Sequence, residues 1–190
     1  MINISLFGVP GAGKGTQAKL LSEKLNLVHI STGDIIRKEI RKKSPVGMEA
    51  EEIINKGMLL DDYIISRMFR NEIERIKNPA GILIDGFPRT VVQAELLDDI
   101  LSSFNYRLDA LIELVISEEE SIERLLKRAE VEGRTDDNRE TIKNRFTEYR
   151  SKTAPVTDYY NKRGLYFGID GNGDIKDINL CILEVIKSLH

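Results

Sequence analysis

Residues 8–16 read G-V-P-G-A-G-K-G-T, between an apolar run at Ile2, Ile4, Leu6 and Phe7 and a helical pattern carrying Ala18, Leu20, Leu21 and Leu25. A glycine-rich turn in that position lets successive backbone N–H groups curl around an anion, because side chains would block the approach and several positions are expected to need φ above zero. Lys14 adds a formal positive charge, and the N-terminus of the following helix adds a partial one. The stretch reads as a phosphate cradle, against the blander alternative of a turn that only joins strand to helix. The usual pattern ends G-K-[ST], with the hydroxyl on Mg²⁺. Here Gly15 follows the lysine and the hydroxyl comes one residue later, at Thr16. A loop without that ligand leaves Mg²⁺ to phosphates and water.

Working outward, short apolar runs at Ile2–Phe7, 28–30, Gly81–Asp85, 108–116 and 166–169 alternate with longer segments of helical spacing. Strands with little polar alternation are buried on both faces, which requires a parallel sheet covered by helices on each side. Ligands then gather at the C-terminal strand ends. Ile175, Ile178, Ile182, Val185, Ile186 and Leu189 recur on one face of a final covering helix. Residues 31–60 read instead as two short charged helices around Ser44 and Pro45, a small inserted subdomain. Residues 131–138 look open and polar.

The chain has 190 residues, 41% hydrophobic and 31% charged, with a net charge of −3. That suits one compact unit and argues against a broad nucleic-acid or anionic-membrane footprint, so a phosphate site must be built from local arginines. The single cysteine, Cys181, excludes an intramolecular disulfide and, falling in the apolar stripe of the last helix, is expected to be buried and inert. No run approaches the length needed to span a bilayer, and the first apolar stretch is too short for a signal sequence. The cytoplasm is the expected compartment.

A second motif follows at residues 81–90, G-I-L-I-D-G-F-P-R-T. Asp85 ends an apolar strand, where a carboxylate can orient the water shell of Mg²⁺, and Arg89 can aim paired donors at a second phosphate. Taken alone, the stretch would be read as a strand end with an ordinary turn.

With S-T-G-D-I-I-R at residues 31–37 and G-R-T-D-D-N at residues 133–138, these motifs make the chain resemble the adenylate kinases, in family order from the first strand to the last helix. The resemblance implies a single α/β domain over residues 1–190, of P-loop NTPase fold. It has a doubly wound five-stranded parallel sheet with helices on both faces, a helical nucleotide-monophosphate subdomain at 31–60 and a short lid at 128–138. It also implies reversible transfer of the terminal phosphoryl group of MgATP to AMP, giving two ADP. The lid lacks the extended form and optional zinc knuckle of longer bacterial members.

The resemblance assigns ATP to Gly11, Ala12, Gly13, Lys14, Gly15, Thr16, Arg124, Arg128 and Gly173, with Arg124 over the donor adenine. It assigns AMP to Thr32, Arg37, Met58, Leu59, Leu60, Gly86, Phe87, Pro88, Arg89, Gln93, Arg134 and Arg145. Lys14, Arg89, Arg128, Arg134 and Arg145 carry the catalytic role, and Asp85 touches Mg²⁺ only through water. Structural alternatives stand beside several of these. Glu120 and Glu132 lie four residues from Arg124 and Arg128, the spacing of a solvated salt-bridged face. Thr90 and Gln93 have capping-box spacing, Thr32 could cap a helix, and Asp137 with Glu140 could cap the helix after the lid.

A UMP/CMP kinase of the same fold is the nearest rival, disfavoured by Thr32, Thr90 and Gln93. A nucleotide-binding switch without kinase activity is a rival of another class, with no use for an acceptor pocket. Expected partners are ATP, AMP and ADP acting on a monomer, with no nucleic acid and no membrane. Mg²⁺ arrives with ATP, and zinc is not expected, because Cys181, His29 and His190 cannot furnish a closed tetrahedral site. Elemental analysis of the purified protein should find no stoichiometric zinc; one tightly held zinc per chain would contradict this reading.

Overall fold

The computed structural model describes residues 1–77, 79–134 and 136–189. Thr135, inside the expected lid, and His190, named above with the zinc ligands, lie outside the described residues. The chain runs β1 (Ile2–Phe7), α1 (Lys14–Leu25), β2 (Val28–Ser31), α2 (Thr32–Arg41), α3 (Pro45–Asn55), α4 (Asp62–Ile73), β3 (Gly81–Asp85) and α5 (Val91–Ser103). It continues through β4 (Ala110–Val115), α6 (Glu118–Glu132), α7 (Arg139–Glu148), a π-helical turn (Tyr149–Thr153), α8 (Pro155–Asn161), β5 (Tyr166–Asp170) and α9 (Ile175–Ser188).

The five strands lie in the order β2-β3-β1-β4-β5, and each neighbouring pair is parallel. Their apolar side chains alternate between two cores. Ile82, Ile84 and Leu111 point into one with Phe69, Leu97 and Leu101 of α4 and α5. Ile4, Leu6, Leu83 and Ile112 point into the other with Leu21 of α1 and Ile182 of α9. Each such side chain contributes about 1.5–3 kcal/mol on burial, so a strand gains from apolar residues at every position. That is the physical cause of the unbroken apolar runs.

β1 lies between β3 and β4. The chain leaving β1 passes to β2 on one side, and the chain leaving β3 crosses to β4 on the other. The C-terminal ends of these strands therefore open a crevice at the change of direction. Leu6 pairs with Asp85 and Phe7 with Glu113, which sets a carboxylate on each side of the end of β1.

Three expectations need correction. Cys181 is exposed: at about 100° per residue it lies about 130° round α9 from the middle of the buried face formed by Ile178, Asn179, Ile182, Leu183 and Ile186. Ile175, on that face by spacing, is 51% exposed because it begins α9 at the rim of the crevice. Val131 and Glu132 are also helical, as α6 runs on until Gly133 closes it in a left-handed conformation, so the open stretch is shorter than residues 131–138.

Residues 31–60 form the expected pair of helices. Ser44 caps α3 by accepting from Gly47 N at 3.0 Å, and Pro45 follows at the first turn. Gly47 lets α2 and α3 touch: a Cβ there would lie 2.1 Å from Glu39 O. Gly47→Ala should force the helices apart and cost about 1–3 kcal/mol. Urea unfolding measures this, and an unchanged midpoint would contradict the packing.

Candidate active site

The glycine loop curls as its sequence requires. Gly8, Gly11 and Gly13 have φ of 130°, 84° and 91°, in the region that side chains rarely adopt. Space is as tight as conformation, since a Cβ on Gly11 would lie 2.7 Å from Ser121 O. The fully buried Ser121 of α6 also donates its hydroxyl to Pro10 O, fixing the loop from behind. Lys14 Nζ donates to Gly8 O and Val9 O at 2.8 Å each. Burial lowers its pKa to about 8; Asp85 opposes the fall, while Arg89 and Arg128 deepen it.

Asp85 reaches across from β3. Its Oδ2 lies 3.6 Å from where a Cβ on Gly15 would stand, and 3.8 Å from His29 Nε2. The place left by the missing loop side chain is thus faced by a carboxylate, which fits a hydrated divalent ion carried by phosphates. Among the described residues no cluster of three His, Cys, Asp or Glu could hold a metal directly.

The arginines come to the same cleft, and carboxylates hold most of them. Arg128 donates to Asp137 through Nε at 2.7 Å and Nη2 at 2.8 Å. Arg145 donates to Asp137 Oδ1 at 2.8 Å and to Asp136. Burial would lower the pKa of Arg128, but these bonds to Asp137 override it and raise the value. Arg134 Nε pairs with Glu132 at 2.7 Å, Arg124 Nε with Glu120 at 2.7 Å, and Arg37 with Asp34 at 2.6 Å. The salt-bridged face suggested by spacing is therefore half realised, because Glu132 takes Arg134 and leaves Arg128 to Asp137. Asp137 does not cap α7; Asn138 does, accepting from Thr141 N at 2.9 Å.

Neither Lys14 nor Arg89 has a carboxylate within ion-pair distance among the described residues. Arg89 Nε donates to Gly86 O at 2.8 Å. Arg89 is solvent-exposed, but the protein crowded around it at the cleft desolvates it, and this, then the neighbouring Arg145, lowers its pKa.

On the other side of the cleft, Thr32 donates to Gly86 O at 2.9 Å. It is not the cap of α2, because Ser31 fills that role by accepting from Asp34 N. Thr90 caps α5, accepting from Gln93 N at 3.0 Å, and Gln93 Oε1 returns to Arg89 N at 2.7 Å, one residue before the usual capping-box donor. Gln93 Nε2 donates to Asp62 Oδ1 at 2.8 Å. Met58, Leu59 and Leu60 line the same wall as Phe87 and Pro88.

Lys14, Asp85, Gln93 and the arginines line a single cleft of about 1700 Å³, also lined by Gly11, Gly13, Gly15 and Thr16. Two expected ATP residues do not line it. Ala12 is 1% exposed and packs beneath the loop, so it can offer only backbone. Gly173, in the loop before α9, has open space around its Cα; the nearby Gly171 is the one touched, its carbonyl accepting from Arg124 Nη1 at 3.2 Å.

Sequence reasoning missed the acids that organise the site. Glu113 accepts from Tyr149 at 2.6 Å and from Tyr166 at 2.8 Å, tying the π-helical turn after Arg145 to the end of β4. Burial, then the bond to Glu113, lifts the Tyr149 phenol far above its usual range. Wider turns of this kind mark functional helices, but no pattern of apolar residues announces one. Asp137 offered a signal, an acidic pair one residue beyond the lid arginine.

A parallel sheet with this loop at its point of reversal, and cations converging on it from several elements, defines a nucleotide phosphotransferase of the P-loop class. The family model described as adenylate kinase matches residues 6–165. An adenylate kinase of Azobacteroides pseudotrichonymphae genomovar. CFP2 is 46% identical over 100% of this chain and 99% of its own length. Those of Flavobacterium psychrophilum and Thermobifida fusca are 44% and 42% identical, also over nearly the whole of both chains. The chain belongs to the adenylate kinase family.

The depressed pKa of Lys14 yields a measurable consequence. A nearby phosphate favours the charged ammonium and raises that pKa, so binding takes up a proton wherever pH lies between the free value near 8 and the higher bound value. Calorimetry near pH 8.5 in buffers of different ionisation enthalpy should show proton uptake on ATP binding, absent at pH 6.5 and absent in Lys14→Met. Affinity should fall as pH rises through that window.

Proposed function

We propose that this cleft holds MgATP on the glycine loop and AMP against Thr32, Arg37, Arg89 and Gln93, and that it moves the terminal phosphoryl group of ATP to AMP. An oxygen of the AMP phosphate forms the new P–O bond while the bond to the ADP oxygen breaks, and ADP leaves with the electron pair. The observation that carries the reading is the convergence of Lys14 and Arg89, cations without carboxylate partners among the described residues, with arginines already aligned by Asp136 and Asp137.

Two anionic nucleotides repel one another, and the charge of the transferring group spreads over its equatorial oxygens. Lys14 follows that group. Arg37 and Arg89 take the AMP phosphate, and Arg128 and Arg145 face the transferring phosphoryl with the donors that Asp137 leaves free. Arg134 leaves Glu132 to join them as the lid, residues 128–138, closes and excludes water. Arg124 lies over the donor adenine. Mg²⁺ bound to the ATP phosphates would neutralise their charge, with Asp85 orienting its waters and no zinc required.

Residues 31–60 serve as the acceptor subdomain. Its return loop leans on α7, where Thr141 donates to Asn55 O at 3.2 Å and Asn144 donates to Lys56 O at 2.9 Å. The same reading takes the chain as a cytoplasmic monomer; among the described residues no helix is long and apolar enough to cross a membrane.

ADP formation from ATP with AMP, dAMP, GMP, UMP or CMP tests the assignment. AMP should be preferred; preference for UMP or CMP would move the chain to the pyrimidine kinases, and no transfer to any acceptor would favour a switch. Lys14→Ala or Arg89→Ala should lower kcat by roughly 10³ or more, about 4 kcal/mol of transition-state stabilisation. Both should keep a cooperative thermal transition. Wild-type turnover in either variant would remove that residue from the mechanism.

A further inference from the structure

We propose that Asp62 decides which purine the acceptor site takes, by locking the side-chain amide of Gln93 in one orientation. The inference rests on the reading above that Gln93 faces the acceptor base. An amide has two N–H donors and two carbonyl lone pairs. In Gln93 one lone pair accepts from Arg89 N at 2.7 Å, and one N–H donates to Asp62 Oδ1 at 2.8 Å. Gln93 is only 2% exposed, so these bonds have little water to replace them.

The orientation is not interchangeable. Turning the amide over would set its NH₂ against the Arg89 N–H, two donors facing, and its oxygen against the Asp62 carboxylate, two acceptors facing. Buried polar groups left in such a state are costly. One N–H and one lone pair therefore remain, side by side on a fixed group. Together they complement the N1 acceptor and N6 amine of adenine. A 6-oxopurine offers the reverse pattern, an N1–H donor and an O6 acceptor, and could be met only by the inverted amide. Asp62 thus excludes the wrong base by repulsion as well as helping to bind the right one.

Asp62 is free for this role because α4 is capped by its neighbour. Asp61 Oδ1 accepts from Tyr63 N at 3.0 Å and from Ile64 N at 3.1 Å. Asp62→Asn can accept from or donate to Gln93, so it follows an inverted amide and removes one of the two locks. Asp62→Ser does the same with a shorter group.

The experiment compares kcat/KM for AMP and for IMP, which differs from AMP at the 6-position and N1 alone. Wild type, Asp62→Asn, Asp62→Ser and Gln93→Leu are assayed, with the KM for ATP and the melting temperature taken for each. Both Asp62 variants should lower the AMP-to-IMP ratio at least tenfold, with less than a twofold change in the KM for ATP. Gln93→Leu should raise the KM for AMP. An unchanged ratio in the Asp62 variants, with Gln93→Leu still raising that KM, would overturn the lock and leave the base-reading role standing. An unchanged KM for AMP in Gln93→Leu would overturn both. Nuclear magnetic resonance of the wild-type protein supplies a readout that needs no variant to fold. The Nε2 proton of Gln93 donated to Asp62 is expected to exchange slowly beside a faster-exchanging second proton, and two equally fast-exchanging protons would overturn the lock.

Discussion

Mutual repulsion among the cations gathered at one cleft is the constraint to which the rest of the molecule answers. Phosphates relieve it when nucleotides are bound; otherwise the protein must hold those charges together itself. It does so with carboxylates of two kinds. Asp137 has no exposed side-chain surface and binds both Arg128 and Arg145. Breaking a buried pair of this sort costs about 3–5 kcal/mol, so these two guanidiniums are held at the cleft with their remaining donors fixed in direction. Asp34 and Glu132 are 68% and 49% exposed, and ion pairs in water are worth about 0–1 kcal/mol. Arg37 and Arg134 can therefore exchange a carboxylate for a phosphate at little cost. Burial thus separates the arginines that are fixed from those that are free to move.

The backbone scaffold follows from the same need. Donors must approach phosphate closely at the end of β1, which requires the glycine curl. The curl must also be rigid, which requires α6 to press Ser121 against Pro10 and Gly11. A sheet buried on both faces supplies the stiffness behind it. Asp85 and Glu113 then stand on neighbouring strands at fixed register on either side. Glu113 uses both oxygens to hold Tyr149 and Tyr166, so the helix that carries Arg145 is fastened to the strand that flanks the loop.

The acceptor side rests on that same helix. Glu148 accepts from Leu59 N at 3.4 Å, beside the contacts of Thr141 and Asn144 with the end of the 31–60 insertion. A shift of that insertion is therefore felt at α7, and through Arg145 at Asp137. Gln93 adds a second connection, since its amide ties α5 to α4 at Asp62 and accepts from the backbone N–H of Arg89. On the proposed assignment, base and phosphate of one nucleotide are addressed from a single turn.

The sequence by itself determined the strands and the glycine loop. Their signals are local: burial on both faces writes unbroken apolar runs, and a phosphate cradle needs glycines at consecutive turns. It also determined that Thr90 begins α5, because capping is a matter of a few adjacent residues. Tertiary structure alone decided the partners. Asp137 looked like a helix cap and became a clamp on two arginines, since the fold brings together α6, the lid and α7, which no helical spacing links. Cys181 looked buried because a stripe of spacing does not reveal where its centre lies until a sheet is laid against it. Asp62 and Gln93 stand thirty-one residues apart, and only the packing of α4 on α5 makes them neighbours. Local chemistry can be read one turn at a time, whereas the choice of partner for each charge is a property of three dimensions.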